Sequence, residues 1–126
     1  KGGLALRFGG RGGRPPRPPL VELEGKQWST PTGSSLKCVV QVENKTHNGL
    51  TLTLGELRFA SSQALWHSDN LRAVVSIDNL RGGVAWLRPH PNRKKPESLS
   101  GVFVERTGDS MTPHLLKLTL DEKPPR

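Results

Sequence analysis

Apolar and polar residues alternate most clearly between Leu36 and Phe59, in the run LKCVVQVENKTHNGLTLTLGELRF. Leu36, Cys38, Val40 and Val42 share one parity, and Lys37, Val39, Gln41 and Glu43 share the other. Leu50, Leu52 and Leu54 alternate with Thr51 and Thr53. A period of two is the mark of a half-buried β-strand, and Asn48-Gly49 between two such runs signals a hairpin. A two-residue turn there would set the leucines opposite Glu43 and Lys45, on the wrong face. An odd loop of three or five residues, with Gly49 left-handed in a bulge, would bring all apolar residues to one face.

The same pattern extends in both directions. Leu20–Glu24 alternates and reads as an edge strand, ended by Gly25; Trp28 and a loop, STPTGSS, follow. ASSQALWHSDNL reads as one helical turn or a loop, anchored by Trp66. Further strands are expected at Arg72–Ile77, Val84–Arg88, Gly101–Arg106 and His114–Leu120. Pro89, Pro91 and Pro96 should keep residues 88–98 out of the sheet. The expected fold is therefore all-β: a single antiparallel β-sandwich or barrel of about seven strands. Its domain spans residues 20–121, after a basic Gly/Arg/Pro-rich arm, disordered or extended (1–19), and before a polar tail (122–126).

Composition supports this reading. The chain has 126 residues, 33% of them apolar, with eleven prolines and fourteen glycines. That suits one loop-rich β-domain rather than a helical protein. No run approaches the roughly 18 apolar residues of a transmembrane helix. The one cysteine, Cys38, lies at an apolar strand position and is expected to be buried and inert. One cysteine cannot form an internal disulfide, which leans the expected location towards the cell interior. No signal-peptide core is visible.

Charge changes the picture. The net charge is +8, and residues 1–20 supply +5 of it through Lys1, Arg7, Arg11, Arg14 and Arg17, with no acid. The arm reads KGGLALRFGGRGGRPPRPP. Its GGRGGR unit resembles the RGG type of motif in RNA-binding tails, and PPRPP favours an extended polyproline helix. A second basic stretch carries Arg88, Arg93, Lys94 and Lys95, with no acid before Glu97. Two basic loci point to a polyanionic partner, with RNA favoured. Arg7, Arg11, Arg14, Arg17, Arg88, Arg93, Lys94 and Lys95 are the candidate contacts.

The other candidate chemistry is sparse. His67-Ser68-Asp69 has the residue types of a catalytic triad, but triad members normally meet from separate segments. No cysteine and histidine have zinc spacing, and no phosphate-cradling glycine loop follows a strand. No cofactor and no metal are expected. The tryptophans Trp28, Trp66 and Trp86 suit either core packing or a stacking platform for bases. Asn44-Lys45-Thr46 is a glycosylation sequon, relevant if the protein is secreted.

These features favour a non-enzymatic nucleic-acid-binding or ribonucleoprotein protein with protein partners in a larger assembly. One alternative is a protein-interaction module that uses the PPRPP segment. The other is a secreted or membrane-surface β-domain that binds anionic lipid or polysaccharide.

Overall fold

The computed structural model describes residues 20–44, 49–61 and 63–121. The expected arm, the turn at 45–48 and the tail after residue 121 lie outside these residues. A 3₁₀ turn, Val21–Leu23, is followed by nine strands. They are β1 Gln27–Ser29, β2 Cys38–Asn44, β3 Gly49–Leu54, β4 Leu57–Ser61, β5 Leu65–His67, β6 Asn70–Ser76, β7 Arg81–His90, β8 Ser98–Thr107 and β9 Ser110–Leu120. All paired neighbours run antiparallel, and pairing of β9 with β1 and of β4 with β6 closes a barrel of eight strands. The ninth, β5, pairs only with β6. Of the two architectures expected, the barrel is the one formed.

The topology is a meander, in which each ring strand pairs with the next ring strand along the chain, β5 being passed over between β4 and β6. The connections therefore fall alternately at two ends. One end holds the β5–β6 turn, the β7–β8 loop and the 3₁₀ turn. The other holds the β1–β2 loop and the turns β3–β4, β6–β7 and β8–β9.

The interior follows from strand parity. Cys38 pairs with Leu54, Val40 with Leu52 and Val42 with Leu50, and all six side chains are buried. Phe59 of β4 meets Phe103 of β8 edge to face, with ring centroids 5.0 Å apart. An eight-stranded ring has room for little more than its own side chains, and these leucines, valines and aromatics form one continuous core.

The parity argument for the central hairpin holds, but through a different device. A bulge between Val42 and Asn44 shifts the register, and Asn44 then pairs with Gly49. A four-residue connection plus one bulged residue does what an odd loop was expected to do. Because Gly49 already belongs to the ladder, a two-residue Asn48-Gly49 turn is excluded.

Other expectations are corrected. Leu20–Glu24 is no edge strand. Leu20 and Leu23 turn inward, 2% and 0% exposed, and plug the barrel end. The expected loop after Trp28 is preceded by a real strand, β1. The expected second strand of the hairpin is two strands, separated at Gly55-Glu56, where Gly55 takes φ +63°. The segment around Trp66 is strand β5, not a helical turn. Pro89 is not excluded from the sheet: it is buried in β7 opposite Leu99. β7 pairs with β6 only as far as Leu87, so beyond that point a missing N–H breaks no ladder bond on the β6 side.

Candidate anion-binding cleft

At the end plugged by Leu20 and Leu23, β7 runs on past the end of β6 while still paired with β8. Alternation along β7 turns Pro89 inward and leaves Arg88 and His90 exposed. The chain then crosses to β8 through residues 91–97. This loop is held from within. Glu97 donates its N–H to the His90 carbonyl at 2.6 Å, and Asn92 Oδ1 accepts the N–H groups of Lys94 and Lys95 at 3.0 and 2.9 Å. Asparagine folds the backbone locally in this way in tight turns. Pro96 is buried while Lys94 and Lys95 are exposed.

Arg88, Arg93, Lys94 and Lys95 thus line one cleft of about 530 Å³, together with Pro89, Pro91, Asn92 and Asp69. The structure brings together the four cations of the second basic stretch. It also gives them different duties. The Arg93 guanidinium lies 5.4 Å from the centre of the Trp66 ring, and its Nε is 3.8 Å from Glu22 Oε1. Arg93 ties the loop to the 3₁₀ turn and to β5. Trp66 itself is 1% exposed, so its far side belongs to the core. Arg88, Lys94 and Lys95 are in no ion pair among the described residues. Among the described residues, Asp69 is the one carboxylate on the cleft wall. Three uncompensated cations against one acid give the cleft a positive potential.

Leu20, the residue that follows the arm, is buried at this same end of the barrel. The 3₁₀ turn that it opens carries Glu22, the partner of Arg93. The arm's own arginines, Arg7, Arg11, Arg14 and Arg17, lie outside the described residues.

The remaining candidates separate clearly. Trp28 and Trp66 are buried in the core, and their indole N–H groups have no acceptor among the described residues. Trp86 faces outward. Arg72 lies 5.4 Å from the centre of its ring, and His67 meets it edge-on at 5.5 Å. His67, Ser68 and Asp69 are all exposed around the β5–β6 turn, and no hydrogen bond joins them among the described residues. His114 donates its Nε2–H to Glu105 Oε1 at 2.8 Å and stacks on Phe103. The described residues hold no group of three acidic, histidine or cysteine side chains placed for a metal ion. Burial pushes the Cys38 thiol up to about 12, so it stays protonated and unreactive at neutral pH. Asn44 ends β2, and the rest of its sequon lies outside the described residues. No described helix is long and apolar enough to cross a membrane.

Sequence reasoning missed Glu22 and Asp69 as parts of this region. Glu22 was hidden by its place in an apparent strand, and Asp69 by a triad-like tripeptide. Comparison with known protein families, with curated proteins and with solved structures found no match for this chain.

Proposed function

We propose that this protein is a non-enzymatic polyanion-binding β-barrel, with RNA as the favoured ligand. In this reading Arg88, Lys94 and Lys95 hold backbone phosphates at the barrel end. Arg7, Arg11, Arg14 and Arg17 extend the contact along the strand. Arg93 positions the loop through Trp66 and Glu22. The observation that carries the proposal is the convergence of exposed, unpaired cations of the 88–95 stretch on one cleft. It is supported by the burial of Leu20, the arm's point of attachment, at the same end. Contacts of this kind position a nucleic acid without reading its sequence, and their strength falls steeply with salt.

The test is fluorescence anisotropy of a labelled single-stranded RNA against the full chain over a salt series, with heparin as competitor. The triple variant Arg88→Glu, Lys94→Glu, Lys95→Glu should flatten the slope of log K against log salt by about 2, the value for three lost contacts to a single strand. An unchanged slope removes the cleft from the reading. Equal competition by heparin leaves polyanion binding but removes the preference for RNA.

A further inference from the structure

The outer surface of the barrel is polar on one side and apolar on the other. Outward residues of β6–β9 stand in cross-strand rows. Val74 pairs with Val84, Val84 with Val104 and Val104 with Pro113. The adjacent row runs Arg72, Trp86, Val102 and Leu115. These strands are thus apolar on both faces, a pattern expected where a sheet is covered on both sides. On this wall nothing in the chain's described residues covers Leu115, which is 82% exposed, or Met111, 61% exposed. Ile77 and Leu80, in the turn at the end of the same wall, are 40% and 66% exposed. Four of the five large exposed apolar side chains among the described residues therefore lie on this wall or its end.

We infer that this wall is the interface with a second copy of the chain, in a two-fold dimer packed sheet against sheet. Area and charge both favour a second copy. β7 and β8 are ten residues long, so each is about 33 Å in length, and four strands are about 19 Å across. Laid flat, two such faces bury at most about 1,200 Å² together, the lower edge of what a stable specific interface needs. The apolar rows occupy the middle of the face. Arg72, Arg88, Arg106 and Lys117 stand around them, as a polar rim surrounds an interface core.

The two ends of the wall also differ. One carries the cationic β7–β8 loop, and the other carries Asp78 and Asp109 in its turns, with Arg81 and Arg106 on the adjoining strands. A two-fold axis lying in the face and perpendicular to the strands sets the acidic turns of each copy over the cationic end of the other. Aligned packing of two sheets permits this arrangement. The apolar centre of this interface does not rest on the polyanion reading, but its acidic turns meet the same cations that reading assigns to phosphates.

The experiment is sedimentation velocity of the full chain from about 1 to 100 µM, at low salt and at 1 M salt, on the wild type and two variants. The wild type should show twice the monomer mass at the upper concentrations. It should do so at both salt levels, because apolar burial survives conditions that dissolve phosphate contacts. The double variant Val104→Lys, Leu115→Lys should dissociate at least about a hundredfold more readily, since it buries like charges at the centre. Thr53→Lys, on the polar wall, should leave the dimer intact. A wild type that stays monomeric at 100 µM overturns the inference without recourse to any variant. So does a dimer that the double variant leaves unchanged, or one that Thr53→Lys dissolves.

Discussion

The two walls of this barrel share one core and differ in what they show outside. On the wall formed by β2–β4 the outward residues include Gln41, Glu43, Thr53 and Arg58, and Arg58 reaches Glu43 at 3.5 Å. On the wall formed by β6–β9 the corresponding places hold valines, Trp86, Pro113 and Leu115. The inner faces are alike, because every strand must fill the same ring. The outer faces are free to differ, and they report what each wall meets. One is built for water. The other has the composition of a surface that is covered.

The largest expected effect tests what the walls share. Phe103 of β8 lies against Phe59 of β4, so Phe103→Ala should cost about 3–5 kcal/mol in chemical denaturation. Phe59→Ala should cost a similar amount from the opposite wall. A cost below about 1 kcal/mol at either position would mean that the walls do not share a tightly packed core.

A smaller effect tests the spacing within the apolar wall. A Cβ on Gly101 would lie 1.8 Å from the Trp86 carbonyl oxygen. Gly101→Ala must push β7 and β8 apart and should cost about 1–3 kcal/mol in the same measurement. The smallest effect sharpens the contrast itself. Thr53→Val puts an apolar side chain on the polar wall and should change unfolding stability by no more than about 0.5 kcal/mol. The conservative exchange Val84→Thr on the other wall should have a concentration-dependent cost, seen as a melting temperature that rises with protein concentration less steeply than in the wild type. Equal, concentration-independent effects at the two sites would erase the distinction between the walls.

Much of this division was legible in the sequence, though unevenly. The long strands announced themselves, because Val40, Val42, Leu50 and Leu52 repeat with a period that one side chain per two residues enforces. β1 and β5 did not, since three residues are too few to show a period. Pro89 misled because proline is costly only where its missing N–H has a neighbour to serve, and that depends on where β6 stops. Leu20–Glu24 alternates as a strand does, yet a plug across a barrel end needs only two inward leucines, and a 3₁₀ turn supplies them. The cleft was legible as a cluster of cations around 88–95. The division of labour within it was not, because Arg93 differs from Lys94 only by reaching Trp66 and Glu22, residues distant in sequence. The apolar wall was present in RAVVSI, VAWLR and GVFVER, runs whose outward valines have a meaning only once the inward ones are assigned.

The order in which the ring can close follows from its seams. Along β1–β4 and again along β6–β9 each strand can zip onto the strand just before it, so two curved sheets form from short loops at low entropic cost. Two seams join these sheets: β4 meets β6 through the single pair Ala60 and Ser76, and β1 meets β9 through Trp28 with Leu120 and Ser29 with Thr119, across nearly the whole domain. The two curved sheets can exist before these seams are made, but a closed cylinder cannot. The seam of longer range in sequence carries a latch: Asp121, whose N–H reaches the Gln27 carbonyl and whose carboxylate accepts from the Gln27 and Ser29 side chains, fastens the end of the domain to its beginning.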